Sequence, residues 1–130
     1  MGNACIDLLI RIKNGYLARK ERVKSPHSRF KEEVVKKLIQ LGYAKSHKIS
    51  QEGGKKNLEI ELLYLDGKPS FTDVKFFSKP GRRWYVSYKE IPQKVRGGFG
   101  SLVLSTPYGV LTNIEAKKGK AGGELLFEIW

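Results

Sequence analysis

The sequence has few of the residues on which catalysis, metal binding and disulfide frameworks depend. It contains a single cysteine, Cys5, and two histidines, His27 and His47, in 130 residues. One cysteine cannot close an intrachain disulfide, which favours a reducing, cytoplasmic location. One cysteine and two scattered histidines also make a poor zinc-ligand set, and neither histidine lies in a nucleophile motif. We therefore expect no catalytic residues, no metal site and no cofactor.

Long apolar runs are missing as well. The apolar stretch over residues 6–12 is interrupted by Asp7 and Arg11, so we expect no membrane-spanning segment and no membrane partner. The run Gly97-Gly98-Phe99-Gly100 is not followed by the Gly-Lys-Ser/Thr of a phosphate-binding P-loop. These absences argue against a membrane protein and against an NTPase.

Acidic residues are scarce compared with basic ones. The chain has 13 Asp and Glu against 25 Lys and Arg, for a net charge of +12 and a pI near 9.9. Residues 1–65 hold 14 of the basic and 7 of the acidic residues, and residues 66–130 hold 11 and 6. The charge is therefore not confined to a detachable tail. Charge of this size suits a nucleic acid or an anionic membrane surface better than a small neutral substrate, and a merely solvated basic surface is the alternative. Of these partners, the one we expect is a nucleic acid.

The hydrophobic spacing predicts an α+β protein of two small lobes. Residues 1–65 read as an N-terminal α-α-β-β lobe, in which Ser25-Pro26 separates the two helices. Asn14-Gly15 would normally end the first helix, whereas Ser28 caps the second and Gly42 ends it. The hairpin pairs residues 43–49 with residues 58–64 around a polar loop, residues 51–57. The turn-forming residues 66–69 mark the lobe boundary.

Residues 66–130 read as a C-terminal lobe of mainly antiparallel β-structure with a short helix. The strand over residues 71–77 turns at Lys79-Pro80-Gly81 and returns through residues 82–86. Alternation in the returning strand directs Trp84 and Val86 to the core and leaves Arg83 and Tyr85 on the opposite face.

The stretch from Ser105 to Glu124 carries the candidate site. Pro107, Tyr108 and Gly109 predict a tight hairpin turn after the hydroxyls of Ser105 and Thr106. Thr112 and Glu115 flank Asn113 in a capping box that begins a short helix. Gly122 and Gly123 then permit a close approach of the backbone before the alternating residues of a last strand.

Short hydroxyls, an aromatic loop tip and nearby cations form a nucleic-acid-binding set. Ser105 and Thr106 can bond phosphate or ribose, and Tyr108 can stack on a base. A core position for Tyr108 is the alternative. The residues predicted to contact RNA are Ser105, Thr106, Pro107, Tyr108, Gly109, Asn113, Lys117, Lys118, Lys79, Arg83, Lys94 and Arg96. Gly122, Gly123 and Glu124 are predicted to order the loop. Glu124 would accept bonds from hydroxyls or backbone N–H groups, or else simply face solvent as Glu128 does.

These residues carry a family resemblance. Ser105-Thr106-x-x-Gly109-Val110-x-Thr112, followed by Gly122-Gly123-Glu124, resembles the signature of bacterial small-subunit ribosomal protein eight, the S-eight family. Further similarity lies in Ser78-Lys79-Pro80-Gly81-x-Arg83 and in Gly98-x-Gly100. Weaker similarity extends through residues 11–15 and 28–31, so that the likeness covers nearly the whole chain.

The sequence departs from the family pattern in two places, the loop and the segment before the Gly-Gly pair. The family loop usually reads Ser-Thr-Ser-Lys-Gly, whereas Pro107 and Tyr108 occupy its third and fourth positions here. The family also tends to have a glycine two residues before the Gly-Gly pair, where this chain has Lys120.

The resemblance implies a structural constituent of the ribosome and no enzyme. Family members bind the central domain of small-subunit 16S rRNA as primary binders, support subunit assembly and neighbour other ribosomal proteins, ribosomal protein five above all. Some repress their own operon mRNA. The resemblance also implies that the first helix continues a turn past Gly15 and that Glu124 orders the loop. The alternative function is a general basic nucleic-acid-binding regulator, such as a winged-helix-like DNA or RNA binder without a ribosomal role. An RNA-processing enzyme is the third.

Overall fold

A computed structural model describes residues 2–130, with side chains from residue 4 onward. Its contacts divide the chain into two compact units, one of Ala4–Thr72 and one whose body is Asp73–Trp130. The predicted α+β class is confirmed: helices and strands alternate in the first unit, and the second is mainly an antiparallel sheet with a short helix.

The first unit combines two helices with a three-stranded antiparallel sheet. Its main elements are α1 (Gly2–Leu17), β1 (Arg22–Pro26), α2 (Arg29–Leu41), β2 (Ser46–Glu52) and β3 (Lys55–Glu61). The strand order is β1-β3-β2, so β3 is central. Apolar residues of both helices and of β3 are buried together, among them Leu8, Ile12, Leu38, Leu58 and Ile60.

Helix α2 begins and ends where its sequence predicts. The Ser28 hydroxyl accepts a hydrogen bond from the Lys31 backbone N–H at 3.1 Å, which satisfies one of the free donors of the first turn. Gly42 ends the helix with a left-handed φ of 88°, and its N–H donates to the Ile39 carbonyl.

Helix α1 runs past Gly15 to Leu17, although Asn14-Gly15 would normally end it. A Cβ at position 15 would collide with Cγ1 of Val23 and would lie 3.1 Å from Cδ1 of Leu62. The glycine therefore lets the helix lie close against β1 and the residue that follows β3, and it is not a stop signal.

The hairpin of the first unit is longer than predicted, and it has a third strand. Strands β2 and β3 pair as far as Glu52 and Lys55, which leaves only Gly53-Gly54 as the turn. Their φ values of 58° and 79° suit a two-residue hairpin turn that matches the twist of the strands. The predicted loop over residues 51–57 is therefore wrong. Strand β1, which was not predicted, pairs with β3 and holds its only proline, Pro26, at its last residue, where an edge strand tolerates it.

The Asp66-Gly67 turn joins two short strands, β4 (Tyr64–Leu65) and β5 (Lys68–Pro69). The Tyr64 ring packs edge-on against Tyr16 at 5.4 Å, which ties this hairpin to the first unit. Contacts therefore divide the chain after Thr72. The sequence places the lobe boundary between residues 65 and 66, and that boundary stays a prediction.

Strand β10 is the centre of the second unit. The elements are β6 (Val74–Phe76), β7 (Tyr85–Val86), β8 (Ser101–Thr106), β9 (Gly109–Thr112), α3 (Asn113–Lys118) and β10 (Gly123–Ile129). The sheet order is β6-β10-β8-β9, and β7 pairs with β10 beyond the end of β6. Every pair is antiparallel. A core of Ile91, Val95, Leu102, Leu104, Ala116 and Leu125 lies between the sheet and α3.

The sequence predicts that Trp84 points into this core, but in the structure it does not reach it. Val86 packs partly against the core, but 45% of Trp84 is exposed. Strand β7 is an edge strand of two residues, and Trp84 precedes it, with the Phe77 ring edge-on at 5.5 Å. The register of β7 is consistent with the face of the strand that was predicted for Trp84. The predicted burial of Trp84 is wrong, because the sheet ends at this edge.

We expect Gly15→Ala to destabilise the protein. The added methyl group would overpack the contact with Val23, at a cost of ~1–3 kcal/mol, while alanine recovers up to about 1 kcal/mol of helix propensity. Thermal unfolding should show a lower Tm. Gly119→Ala is the matched control, because its Cβ would meet only one atom within 4 Å, at an ordinary 3.4 Å. An unchanged Tm for Gly15→Ala would contradict the close packing of α1.

Candidate nucleic-acid interface

The turn between β8 and β9 is closed by the Thr106 side chain. The Thr106 hydroxyl donates to the Gly109 carbonyl at 2.8 Å and accepts from the Tyr108 N–H at 3.1 Å. Gly109 has a φ of 113°, a conformation that a residue with a side chain adopts only under strain. The turn is thus held by its own first and last residues.

Tyr108 stands at the tip of this turn and is 80% exposed. The alternative of a core tyrosine is therefore excluded. Pro107 precedes it at a position where its fixed φ suits the turn and no backbone donor is needed. An aromatic ring is thus presented to solvent on a backbone that is already ordered.

Ser105 and Glu124 lie side by side in the sheet. Ser105 pairs with Glu124 of β10, and Glu124 pairs on its other side with Tyr85 of β7. Residues directly opposite one another in neighbouring strands share a face. Tyr85, Glu124 and Ser105 therefore form a row on one face, which we call the hydroxyl row.

The hydroxyls of Ser105 and Thr106 differ in availability. Thr106 has already donated its only hydrogen inside the turn, so that it can still accept a bond but cannot donate one to phosphate. The Ser105 hydroxyl has no hydrogen-bond partner within residues 4–130. Of the two predicted contacts, Ser105 is the one free to donate.

Tyr85 is a member of the hydroxyl row that was not among the predicted site residues. It is 69% exposed at the edge of the sheet. The signal was present in the sequence, since alternation already placed Tyr85 on the face away from the core. What could not be predicted is the register that sets it beside Glu124.

Glu124 holds a cation and no hydroxyl. Its carboxylate lies 3.5 Å from Nη1 of Arg83, and only 12% of its side chain is exposed. Within residues 4–130 the carboxylate accepts no bond from a loop hydroxyl or a backbone N–H, although Ser105 lies directly opposite, and its partner is Arg83. The carboxylate therefore fixes Arg83 beside the row and offsets part of its charge.

Gly122 and Gly123 are positions where the chain leaves no room for a side chain. A Cβ at Gly123 would collide with the Ser105 carbonyl oxygen and lie 3.0 Å from Cα of Thr106. A Cβ at Gly122 would lie 2.6 Å from the Val86 carbonyl oxygen. The two glycines thus set how closely β10 approaches β7 and the end of β8 that carries Ser105 and Thr106.

Asn113 is a correction to the predicted contacts. Its side chain is 2% exposed and fully engaged: Oδ1 accepts from the Leu102 N–H at 3.2 Å, and Nδ2 donates to the carbonyls of Pro92 and Gln93. It begins α3, whose capping box of Thr112 and Glu115 occurs as predicted. Because every polar atom of the amide is used internally, Asn113 braces the fold and offers nothing to a ligand.

The predicted cations do not form one cluster. Arg96 pairs with Glu128 and lies 3.4 Å above the Trp130 ring, toward the end of β8 and β10 away from Ser105. Lys117 donates to the Ile91 carbonyl at 2.9 Å and is part-buried. Lys79, Lys94 and Lys118 are exposed and make no ion pair with any residue from 4 to 130. These three are the cations of the set that remain free to meet a phosphate.

No catalytic or metal-binding constellation occurs in the part of the chain that the structure describes. No group of three or more His, Cys, Asp or Glu residues within it could hold a metal ion. None of its helices has both the length and the apolar character needed to cross a bilayer. The hydrogen bond from the Ser87 N–H lowers the pKa of Glu90, but this carboxylate caps a single turn of helix.

Comparison with known proteins agrees with this geometry. The family model described as "Ribosomal protein S8" matches residues 3–130. The chain belongs to the ribosomal protein S8 family. It is 45% identical to the small ribosomal subunit protein uS8 of Persephonella marina over 130 residues, with 95% of each chain covered. The uS8 proteins of Rhizorhabdus wittichii and Thermus aquaticus are 43% and 44% identical, over at least 94% of each chain.

Membership of the S8 family confirms the resemblance seen in the sequence. S8 proteins are structural, RNA-binding components of the small ribosomal subunit and are not enzymes, so the expectation of a non-catalytic ribosomal protein is confirmed. The general basic nucleic-acid-binding regulator without a ribosomal role and the RNA-processing enzyme are thereby set aside.

We expect Asn113→Ala to destabilise the fold and to leave RNA contact unchanged in the molecules that remain folded. Each buried backbone group left without its partner costs ~1–3 kcal/mol, and the amide serves three of them. Chemical denaturation measures the loss, and Ile114→Ala is the exposed neighbouring control. If Asn113→Ala kept full stability but lost RNA affinity, the residue would be a contact after all.

Proposed function

We propose that this chain binds the central domain of small-subunit 16S rRNA as a primary binder and thereby supports assembly of the subunit. The observation that carries the proposal is the hydroxyl row beside the Thr106–Gly109 turn. There Ser105, whose hydroxyl has no hydrogen-bond partner within residues 4–130, lies in one row with the exposed Tyr85, and the exposed Tyr108 stands at the tip of the adjoining turn. Membership of the S8 family is what supports the choice of this RNA in the proposal.

The row suits structured RNA better than duplex DNA. An RNA helix displays 2′-hydroxyls across a wide, shallow minor groove, which a hairpin tip can reach. Ser105 can donate to phosphate or ribose oxygen, while Thr106 can accept from a 2′-hydroxyl. Lys79, Lys94 and Lys118 add an attraction to phosphate that does not depend on base sequence.

Three finer expectations rest on the family or, for the cytoplasmic location, also on the single cysteine. Contact with ribosomal protein five, binding to the operon's own mRNA and a cytoplasmic location all stay predictions. The hydroxyl row supports none of them in particular, because it recognises RNA and not a protein neighbour.

We expect a preference for a central-domain rRNA fragment over unrelated duplex RNA and duplex DNA of equal length. Ser105→Ala should weaken binding to the fragment more than binding to unrelated RNA, because a fixed hydroxyl reads shape. Lys118→Ala should weaken both about equally and reduce the slope of affinity against salt. Filter binding across a salt series measures all of these. Equal affinity of the wild type for all three nucleic acids would end the proposal.

Tyr108 should contribute by stacking. We expect Tyr108→Ala to cost ~1–3 kcal/mol of affinity for the rRNA fragment, and Tyr108→Phe to cost much less because the ring face is kept. Stability should hardly change, since the side chain is exposed. Affinity and Tm are measured for both variants. A lowered Tm with unchanged affinity for Tyr108→Ala would show that the ring serves the fold.

A further inference from the structure

A groove lies at the edge of the sheet in the second unit, beside β6 and the residues that precede β7. Its volume is about 220 Å³, below the roughly 300–1,000 Å³ of typical small-molecule sites. It is lined by Lys75, Phe76, Phe77, Lys79, Arg82 and Trp84. Three of these residues are aromatic and three are basic.

The groove presents a flat aromatic surface on rigid backbone. The backbone N–H of Trp84 donates to the Ser78 hydroxyl at 3.0 Å, and the backbone carbonyl of Trp84 accepts from the Leu125 N–H at 2.8 Å. Ser78 is itself buried and donates to the Leu125 carbonyl at 2.7 Å. With Phe77 meeting the indole edge-on, nearly half of Trp84 remains open to solvent.

The three cations of the groove are not neutralised. Lys79 and Arg82 close a turn by two backbone hydrogen bonds of 2.9 Å, and Lys75 lies 5.4 Å from the Phe77 ring centroid. None of the three forms an ion pair with a residue between 4 and 130. The acid opposite Lys75 in the sheet, Glu128, is bound to Arg96.

We propose that this groove binds an unpaired nucleotide of RNA, with its base stacked on Trp84 and its phosphates near Lys79 and Arg82. The charge selects an anionic partner, and the exposed ring selects one with a flat apolar face. A nucleotide has both, whereas bases inside a duplex have their faces covered. The inference rests on the proposed function in that it assumes an RNA partner, but its stacking residue, Trp84, and its cations Lys75 and Arg82 have no part in the proposed function, and only Lys79 is shared.

The fluorescence of Trp84 can report whether the groove is occupied. The chain has only two tryptophans, so Trp130→Phe leaves Trp84 as the sole indole while keeping a ring beneath Arg96. Titration of this variant with a short oligoadenylate should quench its fluorescence, and an abasic oligonucleotide of the same length should not. No quenching by oligoadenylate, or equal quenching by both, would overturn the proposal. So would quenching by an acidic peptide in its place, which would mark the groove as a protein-docking site.

Binding of the same oligoadenylate to the otherwise native protein gives the second test. Trp84→Leu keeps an apolar contact with Phe77 but removes the flat ring, and it should weaken binding about tenfold. Phe99→Ala, which removes an exposed ring outside the groove, should leave binding unchanged. If Trp84→Leu binds like the wild type, the inference fails. The proposed function fails separately, when the wild type shows no preference for the rRNA fragment.

Discussion

The second unit depends on the close approach of β10 to its neighbours at Gly122 and Gly123. With no side chain at these two positions, the backbone of β10 meets the Val86 and Ser105 carbonyls at distances that a Cβ would prevent. The register fixed there places Glu124 between Tyr85 and Ser105. The hydroxyl row, the exposed edge at Trp84 and the position of the Thr106–Gly109 turn all follow from that register.

The sequence predicts correctly those features that depend on residues close together in the chain. The caps of α2, the capping box of Thr112 and Glu115, and the turn between Lys79 and Arg82 each depend on residues within four positions of one another, and each occurs in the structure. The length of the β2–β3 hairpin was missed although its signal is local. Gly53-Gly54 was read as part of a polar loop and not as a two-residue turn.

Long-range pairing could not be predicted in the same way. Asn113 is among the predicted contacts, but its bonds to Pro92, Gln93 and Leu102 span 11 to 21 residues. The neutralisation of Arg83 by Glu124 and of Arg96 by Glu128 has the same origin. Net charge, read from the sequence, thus overstates the number of cations available to a ligand and says nothing of where they lie.

The hydrogen bonds that hold the turn explain why Pro107 and Tyr108 can differ from the family's loop pattern. The hydroxyl of Thr106 and the left-handed Gly109 close it, and neither task uses a side chain at the two intervening positions. The tip can therefore change its chemistry while the frame stays the same. Exchanging Ser-Lys for Pro-Tyr removes a hydroxyl and a charge, and it adds a stiff residue and a ring. Under the proposed function, recognition at the tip shifts from polar contact toward stacking, while Ser105, one residue before the turn, keeps its hydroxyl on the sheet.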